Sequence, residues 1–331
     1  AYLLINTLGV AVWGSLFYLI NIFVHFSFLS MTMTTVSIAL LNTLFRLATV
    51  LLLTPFLGLL EKQVCALFTE DSSALQSATE IDRLEERFLN HPALAIEQSR
   101  SAVNAMARQA QKNLLAAFLL MREYSDEAFS SVMSMEELID RYEDKVGSYL
   151  VKITARELTP KQTGDVSKFL HTIGDFERIS DHAVNIAEAA KEIHEKKIAF
   201  SLEAQHELSV LLHAIVEITA TAVDSFVESD LERAYRVEPF EELVDTLCNE
   251  MKLHHIDRIK EGVCTLNQGF VFNDLLTNCE RVADHCSNIA LAMIELESDT
   301  FDTHEYQLSL KEMKNDSFDR YYEEYRQKFA L

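Results

Sequence analysis

Glu177-Arg178-Ile179-Ser180-Asp181-His182-Ala183-Val184-Asn185-Ile186 recurs, 103 residues later, as Glu280-Arg281-Val282-Ala283-Asp284-His285-Cys286-Ser287-Asn288-Ile289. A second pair lies upstream of each copy. Glu136-Glu137-Leu138-Ile139-Asp140 is matched by Glu241-Glu242-Leu243-Val244-Asp245 at an offset of 105. Two matched blocks at nearly one offset mark an internal duplication, and a duplication dictates the fold argument. Around each copy the apolar residues follow a 4-3 spacing. Phe169, Ile173, Phe176, Ser180, Ala183, Ala187 and Ala190 form one stripe, and Phe272, Leu276, Cys279, Ala283, Cys286, Ala290 and Met293 repeat it. Such a stripe buries one helical seam, and its small residues let neighbouring helices come close.

Working outward, breakers divide the chain after residue 80 into six long helical segments. The pattern predicts helices over Pro92–Tyr124, Ser125–Leu158, Asp165–Lys197, Leu202–Glu228, Asp230–Gly262 and Asn267–Glu297. Each triplet ends in a Glu-Arg helix and reads as an antiparallel three-helix bundle. A last amphipathic segment, His304 to Phe329, carries Tyr306, Leu308, Leu310, Met313, Phe318, Tyr321, Tyr322 and Tyr325.

The first 60 residues are different in kind. Their only Asp, Glu, Lys or Arg is Arg46, whereas the rest of the chain holds 28 Lys and Arg against 51 Asp and Glu, out of a net charge of -22 overall. Ala1–Val24 and Val36–Leu60 are each long enough to cross a hydrocarbon core, which takes about 20 apolar residues. The short break between them predicts a membrane hairpin. A basic start and a small-residue cleavage site, the marks of a signal peptide, are both missing. Arg46 in such a run faces protein or a water-filled cavity. With Asn42 it is the candidate membrane contact. Glu70 to Thr79 reads as a linker. The expected organisation is therefore all-α: a transmembrane hairpin over 1–69, then a helical domain over 70–331. That domain divides into bundle one (80–198), bundle two (199–299) and a C-terminal helical segment (300–331). Because the chain begins on Ala, it is expected to be part of a longer or processed product.

The acidic balance excludes nucleic acid, whose phosphates need cationic clusters, and suits cations. Five cysteines without a Cys-x-x-Cys point to a reducing compartment rather than to disulfides or a zinc knuckle. Cys279 and Cys286 read as small core residues. Glu136/Asp140, Glu177/Asp181, Glu241/Asp245 and Glu280/Asp284 are four pairs at i,i+4 spacing, so each lies on one helix face, where like charges repel. A single such pair is ordinarily a solvated acidic face. Four in register suggest a compensating hard cation, divalent or iron. His182 and His285 follow the Asp directly and point about 100° away, as packing or capping groups. Asn185 and Asn288 extend the polar edge or bond across the bundle. A di-iron enzyme would need two Glu-x-x-His motifs, but only Glu203-Ala204-Gln205-His206 fits. No nucleophile elbow or phosphate-binding glycine loop is found, so no enzyme is expected.

The paired Glu-Arg-x-x-Asp-His-x-x-Asn-Ile helices, each preceded by Glu-Glu-Leu-Ile/Val-Asp, resemble the PhoU domain over residues 80–299. The resemblance implies two three-helix bundles and a role in the control of phosphate uptake. It also implies multinuclear metal clusters on Glu136, Asp140, Glu177, Asp181, Glu241, Asp245, Glu280 and Asp284. The hairpin followed by this domain, with Ile38 to Arg46 and Leu53-Thr54-Pro55-Phe56, resembles the bacterial sodium/phosphate cotransporters with a C-terminal PhoU-like domain. That resemblance implies the C-terminal part of a sodium-dependent phosphate symporter. It would be multi-pass in the plasma membrane, with residues 70–331 cytoplasmic, phosphate as substrate and sodium as coupling ion. Its Gln-Ser-Ser-Ser-type substrate segments do not occur here and are expected upstream. The alternative is a membrane-tethered PhoU-like regulator with no transport activity of its own. Homo-oligomerisation through the helical domain is a further expectation.

Overall fold

The computed structural model describes residues 80–297 and 316–331, with isolated positions between Ser15 and Leu47. The expected membrane hairpin, Asn42, Arg46 and the linker at 70–79 lie outside the described residues apart from those isolated positions. Residues 78–331 form one compact unit. Every regular element among its described residues is a helix: α1 Pro92–Arg122, α2 Asp126–Thr154, α3 Pro160–Lys196, α4 Leu202–Glu228, the short α5 Leu231–Ala234, α6 Val237–Lys260, α7 Leu266–Glu297 and α8 Asp316–Lys328. Two 3-10 turns, Glu80–Arg83 and Glu86–Asn90, precede them.

The helix starts have local causes. Ser125 and Ser201 accept backbone N–H groups at the heads of α2 and α4, which satisfies donors that the helix itself leaves unpaired. Thr159 and Gln162 form a reciprocal capping box, and Pro160 takes the first helical position. Helix α3 therefore begins at Pro160 and not at Asp165. The Thr-Pro-x-Gln signal outweighs Gly164, which sits inside the helix. Thr265 and Gln268 repeat the box at α7. The expected single helix over Asp230–Gly262 is broken. Asp230 caps the one-turn α5, and α6 restarts at Val237, so that Pro239 falls in a first turn, where its missing N–H does no harm.

Helices α1, α2 and α3 pack together as bundle one, and α4, α6 and α7 as bundle two. The two Glu-Arg helices, α3 and α7, also pack extensively on each other, and α1 meets α4. Both predicted stripes are buried along their whole length. Phe226 of α4 reaches into bundle one, its ring 5.0 Å from Phe176 and 6.3 Å from Phe169. Arg108 of α1 pairs with Asp224 of α4 across the same join. Arg258 of α6 holds Glu207 of α4 through two bonds of 3.0 and 2.8 Å, and His254 meets the same carboxylate at 2.8 Å. Helix α4 is long and apolar enough to cross a membrane. Here its apolar residues Leu211, Ile215, Ile218 and Phe226 are core. From the C-terminal segment, Tyr325 stacks on Phe240 of α6 at 4.0 Å and Tyr322 bonds Thr246. Cys248, Cys279 and Cys286 are buried, and burial pushes their thiols up, Cys248 and Cys286 to about 12.

Phe226 is 2% exposed and belongs to the join between bundles. Phe226→Ala is expected to cost about 3–5 kcal/mol, the usual range for a buried aromatic truncated to Ala. The measurement is urea denaturation followed by circular dichroism. A loss below about 1 kcal/mol would show that the bundles do not depend on this contact.

Candidate metal centres at two carboxylate triads

Each bundle brings the middle and third helices together at their carboxylates. In bundle one, oxygens of Glu136 and Asp140 from α2 and of Asp181 from α3 lie within 4.8 Å of one another. In bundle two, Glu241 and Asp245 from α6 and Asp284 from α7 do the same. Six of the eight residues singled out in the sequence thus converge as two matched triads. The remaining two stand beside them. Glu177 lies 3.4 Å from Nε of Arg178. Glu280 is turned to Lys252, whose Nζ is 2.7 Å away. Arg178 and Arg281 bond Asp181 and Asp284 at 3.0 and 2.9 Å in matching positions.

The charge of these clusters is visible in their proton affinities. Burial, then the charges of Asp140 and Asp181, raises Glu136 above the usual carboxylate range. Burial and Asp181 push Glu177 up to about 7. Burial, Asp245, Glu238 and Asp284 push Glu241 up to about 8. Asp245 is raised by burial, Glu280 and Asp284, with Lys252 opposing. A hard cation answers this need: oxygens about 2.0–2.6 Å from one ion necessarily lie within about 5 Å of each other. The donor set fits, being oxygen only. Oδ1 of Asp245 is buried without a hydrogen-bond partner, an arrangement that proteins normally avoid unless the atom has an ion or water to meet.

Beside the triads lies a feature that sequence reading reached only in part. His182 Nδ1 and Asn185 Nδ2 of α3 both meet Oδ1 of Asn278 on α7, at 2.9 and 3.1 Å. Reciprocally, His285 Nδ1 and Asn288 Nδ2 of α7 meet Oδ1 of Asp175 on α3, at 2.9 and 3.2 Å. The two imidazoles stack, 5.6 Å between centroids. The histidines are therefore packing groups, as expected, and the asparagines bond across to the other bundle. Asp175 and Asn278 were not singled out. Their signal was present, since they too are 103 apart, but an acid matched by an amide is easily passed over. Burial lowers the pKa of His182, which favours its neutral ring.

The PhoU domain family matches residues 103–190 and 208–293, more than half of the chain and one match per bundle. The chain belongs to the PhoU domain family. Among curated relatives, it is similar to the phosphate-specific transport system accessory protein PhoU homolog 1 of Thermotoga maritima, 26% identical over 201 residues. That match covers 60% of this chain and 85% of the relative. A PhoU homolog of Clostridium acetobutylicum is 20% identical, with 61% and 91% covered. Of solved structures, PhoU from Pseudomonas aeruginosa shares the fold at a TM-score of 0.58 and 22% identity, over 62% of this chain and 97% of that one. The regulatory PhoU of Streptococcus pneumoniae does so at 0.57 and 16%, with 63% and 98% covered.

Glu177 and Glu241 give the metal-free fold a defined pH dependence. Their folded values of about 7 and about 8 lie above the ordinary 4.5. Between these limits the folded state holds protons that the unfolded chain has released, so this stability is whole below about pH 4.5 and lost as pH rises through 7 and 8. Chelator-treated protein is expected to show a lower urea midpoint at pH 8.5 than at pH 5.5. A midpoint that rises over that range would contradict the assignment.

Proposed function

We propose that this chain is a membrane-tethered regulator of phosphate uptake whose two bundles bind hard cations at the carboxylate triads. The observation that carries the reading is the pair of triads, each bridging a middle and a third helix. The accessory role printed for the relatives supports the regulatory part. The tether rests on residues 1–60 and their single charge, and the helical domain is placed on the cytoplasmic side.

A bound divalent or iron ion supplies positive charge that lets the carboxylates ionise together. The chain's own groups convert that charge into geometry. Glu136 and Asp140 on α2 are drawn to Asp181 on α3, and Glu241 and Asp245 on α6 to Asp284 on α7. Asp181 and Asp284 are each followed by the histidine that sits in the seam between bundles, so the pose of either triad is felt where α3 meets α7. A partner that reads the shape of the paired bundles thereby reads their loading.

Asp181→Ala plus Asp284→Ala is expected to abolish uptake of manganese or iron while leaving the metal-free fold intact. In the wild type, each site saturated at 100 times its own Kd should raise Tm by roughly 5–10 °C, from mass action and the usual scaling for a domain of this size. Elemental analysis and calorimetry measure both. Equal metal content in the double variant would return the carboxylates to an ordinary solvated face.

A second reading makes the chain the C-terminal part of a sodium-dependent phosphate cotransporter, and the apolar residues 1–60 favour it as well. Deletion from the host separates the two. The regulator reading expects phosphate uptake to persist but to stop responding to external phosphate. Loss of a sodium-dependent uptake component would move the conclusion to the cotransporter.

A further inference from the structure

The two triads are not equal, and one residue adds a positive charge beside the second. At the offset of 105 that aligns Glu136 with Glu241 and Asp140 with Asp245, Lys252 of α6 corresponds to Gly147 of α2. Lys252 lies seven residues beyond Asp245, two turns along the same face. Its Nζ is 2.7 Å from Oε2 of Glu280, with the two side chains 30% and 32% exposed. In bundle one the matching Glu177 has a longer contact, 3.4 Å from Nε of its neighbour Arg178. An arginine beside each triad makes the same bond to its aspartate, and Arg178 also reaches Glu177 at 3.4 Å. The lysine is a cation that bundle two has in addition. Bundle two also has an additional carboxylate, Glu238, but the Ser287 hydroxyl donates to it. It sits one turn before Glu241, at the opposite end of the stripe from Lys252.

We propose that Lys252 is a tethered cation that holds Glu280 out of the bundle-two triad, so that metal fills the bundle-one centre first. This rests on the metal reading above. In bundle one the fourth carboxylate, Glu177, is held by the longer contact, 3.4 Å to Arg178. In bundle two, recruiting Glu280 means breaking a charge-assisted bond in a partly buried place, and such bonds are about twice as strong as neutral ones. The ammonium also repels an arriving cation directly. The two centres then respond to different metal concentrations, and the second loads only when metal is abundant.

The test is a titration of the full chain with Mn²⁺, following the loss of the free-ion EPR signal. The wild type is expected to show two classes of site separated by at least tenfold, the weaker one absent in Asp284→Ala and the tighter one absent in Asp181→Ala. Lys252→Met, which keeps the aliphatic stem, should tighten the weaker class roughly tenfold, the scale of one such charged bond. Gly147→Lys, whose added Cβ meets only Ile173 at 3.4 Å, should weaken the tighter class. Two equal classes that Lys252→Met leaves unchanged would overturn this inference alone. So would loss of the tighter class in Asp284→Ala. No Mn²⁺ uptake by the wild type would overturn the metal reading and this inference with it.

Discussion

The seam between α3 and α7 is the contact on which the rest of the unit depends. Two copies of one helix meet there, and each supplies a histidine and an asparagine to a single oxygen on the other, Asn278 or Asp175. The stacked imidazoles lie between the two clamps. A half-buried polar cluster is destabilising when left unpaired and specific when paired. It accepts one register between the bundles, because a slip of one turn would leave both oxygens and both rings without partners. The apolar part of the same join, Phe226 against Phe169 and Phe176, supplies area, and the clamps supply the register.

The second constraint is repulsion. Three carboxylates in each bundle are drawn within 4.8 Å by helices whose packing is set elsewhere, by Ile139, Val146 and Phe176 in one case and Val244, Cys248 and Cys279 in the other. The cores are continuous, so the acids cannot move apart without disturbing buried residues. They take protons or salt-bridge partners instead. Arg178 and Arg281 answer part of that demand, Lys252 a further part in bundle two only, and raised proton affinity the remainder. This charge stands one residue along the chain from the histidines of the inter-bundle seam.

Duplication followed by divergence explains the mixture of symmetry and asymmetry. The features that hold the bundles together have been kept in both copies: the stripes, the capping boxes at Thr159 and Thr265, the arginine–aspartate bonds and the seam histidines. Asp175 against Asn278, Gly147 against Lys252 and Met133 against Glu238 differ between the copies, and each difference changes the charge near the triads or the seam. The buried stripes differ too, Phe176 being matched by Cys279 and Ala190 by Met293, but those exchanges stay apolar and leave the charge unchanged.

Much of the helical architecture was legible in the residues because it is local and periodic. The 4-3 stripes determined which face of α3 and α7 is buried, and every residue named on them is buried. The duplicated i,i+4 acids determined that carboxylates share a helix face, since helical spacing alone decides that. Breaks were legible where their chemistry was weighed, and misplaced where it was not: Pro239 restarts α6 at Val237, and Thr159 with Gln162 opens α3 at Pro160. Contacts between distant helices were decided only by the tertiary structure. Spacing placed Glu177 and Glu280 identically, yet one pairs with its neighbour Arg178 and the other with Lys252 of another helix, because a side chain goes to the charge that packing places beside it. The same holds for Asp175 and Asn278. Nothing in the helix that carries either one says that an imidazole from the other bundle will arrive, since that depends on how two whole bundles meet.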